Sequence, residues 1–85
     1  MEIQKITDPD KVAELIGEII RRHTKASAAN EPSNKHGLSR GKLTNGHGTS
    51  IFIEIEGETY AVPRQSLADV VGDELANKIW NWILP

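Results

Sequence analysis

GLSRGKLTNGHGTSIFIEIEGETYAVP, residues 37–63, decides the fold. From Ser50 to Glu56 the side chains alternate, Ile51, Ile53 and Ile55 against Phe52, Glu54 and Glu56. A strand has period two, so the three isoleucines share one face. Glu56-Gly57 suits a two-residue turn, after which Glu58–Val62 returns antiparallel. In either register open to such a turn, Tyr60 and Val62 join the isoleucine face, whereas a one-residue slip would mix apolar and polar sides. Pro63 ends the strand, because it has no N–H for a ladder. Upstream, Asn45-Gly46 is the strongest short hairpin signal in the chain, since both central positions of a type I′ turn need positive φ. Leu38–Thr44 is then the first strand of a three-stranded antiparallel meander, weakened by Gly41.

A helix precedes this sheet and another follows it. Asp8-Pro9 is a helix start: Asp8 can cap free N–H groups, and Pro9 suits a first position whose N–H is not needed. Val12, Leu15, Ile16, Ile19 and Ile20 then form one apolar stripe, with Glu14, Glu18 and Arg21 pointing away. His23 extends the stripe, as half-buried residues at helix ends often do. Residues 25–36 (KASAANEPSNKH) lose the periodicity and read as a solvated, flexible linker. After the sheet, Ser66 with Asp69 is a box-like helix start. Two readings are open beyond it: one helix over Leu67–Leu84, or a short turn to Val71 and a new helix from Glu74 after a break at Gly72-Asp73. Val71, Leu75, Ile79, Trp82 and Ile83 make the buried stripe, and Trp80 with Leu84 makes a second, smaller apolar strip. Met1–Thr7 is either a short edge strand or an irregular lead-in. The expected fold is α+β: N-terminal helix, meander, C-terminal helix, both helices on the Ile51/Ile53/Ile55/Tyr60/Val62 face.

Eighty-five residues make one small domain with a single core. The chain has no cysteine, which excludes disulfides, thiolate zinc sites and cysteine nucleophiles. It has no apolar run of membrane-spanning length and no signal segment over Met1–Asp10, so a cytoplasmic protein is expected. The net charge of −2 conceals a segregation. Between Arg21 and Thr49 six bases face Glu31 alone, a local +5; the rest of the chain carries four bases against eleven acids. Such a molecule has a positive middle.

No catalytic pattern emerges. Glu54, Glu56 and Glu58 lie at a hairpin, where carboxylates normally face water, and paired catalytic carboxylates need a cleft. The one G-x-G, Gly46–Gly48, precedes a strand, whereas nucleotide loops precede a helix. His23, His36 and His47 have no ligand spacing, and two of them sit among bases that oppose a cation. No enzyme activity, cofactor or metal is therefore expected.

Two binding readings remain. Trp80 and Leu84, if exposed, suit a protein partner or a homodimer through the C-terminal helix, because tryptophan concentrates binding energy at interfaces; the bland account is that Trp80 covers the flank of the core. A small regulator or accessory factor acting through protein contacts follows from the first account. Alternatively, Arg21, Arg22, Lys35, Arg40, Lys42 and His47 supply a basic glycine-rich hairpin over 35–49 for phosphates of a nucleic acid. Its bland account is an edge strand kept soluble by charge.

Overall fold

The computed structural model describes residues 3–43 and 49–85. The elements run β1 (Ile3–Lys5), α1 (Pro9–Ala28), a 3₁₀ turn at Ser33–His36, β2 (Leu38–Lys42), β3 (Thr49–Ile55), β4 (Glu58–Pro63), α2 (Arg64–Val71) and α3 (Asp73–Trp82). The fold is α+β, but the sheet has four strands in the order β1-β4-β3-β2. The expected three-stranded antiparallel meander is thereby corrected. β2, β3 and β4 are antiparallel neighbours, while β1 adds to β4 in parallel, with Ile3 opposite Thr59 and Lys5 opposite Ala61. Of the two readings of the N-terminal segment the short edge strand is the one found, but three residues cannot announce its partner or its parallel direction, which needs a crossover.

The β3–β4 register is the one the alternation requires: Ile51 faces Val62, Ile53 faces Tyr60 and Ile55 faces Glu58. Glu56 and Gly57 both take positive φ, +49° and +82°, at the turn. The Asn45-Gly46 turn and Thr44 lie outside the described residues. Ile51, Ile53 and Val62 are fully buried against Val12, Leu15, Ile16 and Ile19 of α1 and against Leu67 and Ile79 of α2 and α3. Each such aliphatic side chain contributes about 1.5–3 kcal/mol by leaving water. On the other sheet face Glu54 is exposed and Phe52 half-buried, but Ser50 and Ala61 are buried.

Three features set the C-terminal half: the first and third differ from expectation, and the second decides between the two open readings. First, α2 starts at Arg64, directly after Pro63, so Ser66 lies inside the first turn and makes no cap. Proline's fixed φ, here −58°, lets the strand turn straight into the helix. Second, the chain breaks at Gly72, whose φ of +86° and ψ of 160° belong to a region essentially reserved for glycine. Third, the core side of α3 is not the expected stripe. Ala76 and Ile79 face inward with Ile83 just beyond the helix, while Leu75, placed by a continuous stripe in the core, is 39 % exposed. Residues 25–36 hold the last turn of α1, which ends at Ala28, and the 3₁₀ turn, whose Ser33 is buried.

Candidate functional site

The site lies where β2, the edge strand, meets α3. Arg40 shares the helix-side face of β2 with buried Leu38 and stands opposite Ile51, so its stem leaves the core at the sheet margin. Trp80 follows inward-facing Ile79 and is turned about 100° from it around α3, onto the flank of the core. There the Arg40 guanidinium carbon lies 5.2 Å from the centroid of the Trp80 ring. Arg64, the first residue of α2, brings its own guanidinium carbon to 5.4 Å from the same ring. Its Nη2 donates to Asn77 Oδ1 at 2.8 Å, which fixes the fork one turn before Trp80. A cation over an indole gains about 0.5–1 kcal/mol at an exposed site.

Leu84 reaches the same corner by a route the sequence did not suggest. α3 ends at Trp82, and Ile83 is extended with φ −100° and ψ 130°, so Trp80 and Leu84 do not form a strip on one helix. Instead the tail runs beside β2. The Leu84 N–H donates to Ser33 Oγ at 3.0 Å, and its carbonyl accepts from the Arg40 N–H at 3.2 Å. Arg40 thus touches both candidates, Leu84 through its backbone and Trp80 through its side chain. Leu84 remains 45 % exposed, and Trp80 is half-buried.

The basic residues named from the sequence fall into two groups. Arg21, Arg22 and Lys35 line a cleft of about 470 Å³ together with Lys25 and His36, but Glu54 and Glu56 line it too. Arg22 is committed to the scaffold: Nη1 donates to the carbonyls of His36 at 3.0 Å and Glu54 at 2.6 Å, and Nε donates to Glu18 at 2.9 Å. Arg21 also pairs with Glu18, and Lys35 pairs with Glu31. Hydrogen bonds from Arg21 and Arg22 pull the Glu18 carboxyl from an ordinary 4.5 down to about 2, and the Lys35 hydrogen bond lowers that of Glu31. Part of the +5 excess of the segment is therefore met in space by Glu18, Glu54 and Glu56 from outside it.

Arg40 and Lys42 form the second group, two residues apart on β2. With Arg64 they form no salt bridge to any described residue. His47 lies outside the described residues. Arg64 carries no signal in the sequence; only its place after Pro63, at the strand-to-helix corner, directs it toward α3. His23 stacks on Trp82, ring centroids 4.6 Å apart and planes 4° from parallel. Among the described residues no three metal-ligating side chains gather, and no helix is long and apolar enough to cross a membrane. Comparison with protein-family models, curated proteins and solved structures finds no match to this chain.

Proposed function

We propose that this chain is a small non-enzymatic binding protein, a regulator or accessory factor that docks a protein partner, or a second copy of itself, at the Trp80/Leu84 corner. The observation that carries this reading is Arg40, which joins a half-buried indole to a 45 % exposed leucine in one place. Tryptophan and arginine are the residue types that dominate interface energetics. Burying Leu84 and the open part of Trp80 adds apolar area without rearranging the core. The test is sedimentation of the purified chain together with retention of partners from lysate. A dimer or a retained partner is expected, and Trp80→Ala should remove it while leaving the folded state intact by circular dichroism. A strict monomer that retains nothing through Trp80 sinks the reading.

A second reading, nucleic acid at the same corner, is favoured by one observation: an aromatic ring beside Arg40, with Lys42 on the same strand, supplies both stacking and phosphate contacts. It predicts binding that falls steeply with salt and weakens in Arg40→Ala with Lys42→Ala. No binding of single- or double-stranded DNA or RNA at low salt removes it.

A further inference from the structure

Two guanidinium groups share one indole at the Trp80 corner, 5.2 and 5.4 Å from its centroid. Each is attracted by the ring, yet the two cations repel one another, and no described carboxylate pairs with either. Asn77 holds the Arg64 fork without neutralising it. Arg21 and Arg22 are matched with Glu18, Lys35 with Glu31 and Lys11 with Glu14, whereas Lys5, Lys25, Lys42 and Lys78, like the two arginines, pair with no described carboxylate. The corner differs in bringing two unmatched cations to one ring. Contact with Trp80 also restrains the arginine side chains before anything binds, so less rotamer freedom is lost when a ligand arrives.

We infer that the partner presents an acidic segment here, with carboxylates taken by the Arg40 and Arg64 forks, one to each, and an apolar neighbour resting on Trp80 and Leu84. This rests on docking at Trp80 and names its chemistry. A planar fork matches a carboxylate in two parallel hydrogen bonds, and such charge-assisted bonds are the strong ones. A peptide fits better than a nucleic acid. The chain is net acidic at −2, and Arg21, Arg22 and Lys35 of the other cleft are paired, so a long polyanion meets less attraction beyond this corner. A short acidic segment needs only the two local cations.

The experiment titrates the whole ¹⁵N-labelled chain with an acetylated, amidated pentapeptide of four glutamates around a central leucine. The controls are the same peptide with glutamines and a ten-nucleotide oligothymidylate. The Nε–H signals of Arg40 and Arg64 and the indole N–H of Trp80 are expected to move with the glutamate peptide and not with the glutamine one. Arg40→Gln with Arg64→Gln should weaken binding by about tenfold or more, and Arg40→Lys with Arg64→Lys, which keeps the charge without the fork, should restore part of it. Equal response to the glutamine peptide, or tighter binding of the oligothymidylate, overturns the assignment. A lysate partner that depends on Trp80 but is indifferent to Arg40→Gln with Arg64→Gln also overturns it, and leaves docking at Trp80 standing. Absence of any Trp80-dependent partner or dimer removes both.

Discussion

Arg22 reaches from α1 to two backbone carbonyls, those of His36 and Glu54, and so ties the helix to both the 3₁₀ turn and the end of β3. Arg22→Met should lower stability by about 1–3 kcal/mol in urea unfolding, because those carbonyls lose a charged donor in a part-buried place. The consequence for pH runs through Glu18. Its carboxyl titrates at about 2 when folded against 4.5 ordinarily, because Arg21 and Arg22 donate to it. Its ion pairs therefore contribute in full above 4.5 and are lost as pH falls from there toward about 2. Glu18→Gln should flatten the decline of the melting temperature across that window; an unchanged decline would assign it to other carboxylates. Two glycines make a contrast. Gly37 has φ +78°, and a Cβ there would meet Arg22 Nη1 at 2.8 Å and the Glu54 carbonyl at 3.3 Å. Gly37→Ala should therefore destabilise by about 1–3 kcal/mol. Gly17, mid-helix, has nothing within 4 Å of such a Cβ, and Gly17→Ala should stabilise by about 0.5–1 kcal/mol in the same urea series. The i, i+4 spacing of Glu18 and Arg22 was legible in the sequence, but the reach of Arg22 to the two carbonyls was not. A run of bases reads as a patch until the fold brings Glu54 and Glu56 beside it.

The β3–β4 hairpin was the legible element, because period two leaves one register that separates Ile51, Ile53 and Val62 from the polar side. Its turn is less favourable than its strands. Glu56 occupies a left-handed position at φ +49°, where asparagine is the better residue. Glu56→Asn should raise stability by about 0.5 kcal/mol, read as a higher urea midpoint at unchanged slope. The last helix was legible in composition but not in phase. Gly72 admitted both a continuous helix and a break, and nothing local shows that α3 turns Ala76 and Ile79 to the core and leaves Leu75, in its first turn, facing water. For the same reason the sequence could pair Trp80 with Leu84 only along a helix. The contact they share runs through Arg40, forty residues upstream on β2, and no local pattern encodes it.

At the scale of the molecule, one core joins α1, the sheet and the two C-terminal helices, with Ile53 fully buried in it. Ile53→Ala should cost about 2–5 kcal/mol, enough to lower the melting temperature of a domain this size by roughly 10 °C or more. A smaller shift would mean that the neighbours collapse into the space. Both margins of the sheet are occupied by remote parts of the chain, β1 along β4 and the Leu84 carbonyl at Arg40 of β2. The two seals are unequal. The tail buries Ile83, whereas all three residues of β1 are exposed, Ile3 by 49 %. Joining Ile3 to Thr59 closes about two thirds of the chain into a loop, a large entropic cost for a short ladder with little apolar reward. β1 should thus be the last element to settle and the first to detach. In hydrogen–deuterium exchange its amides, with the Ile6 N–H that donates to Ala61, should exchange through a local opening far less costly than global unfolding, while those of Ile51 and Ile53 wait for the whole domain to open.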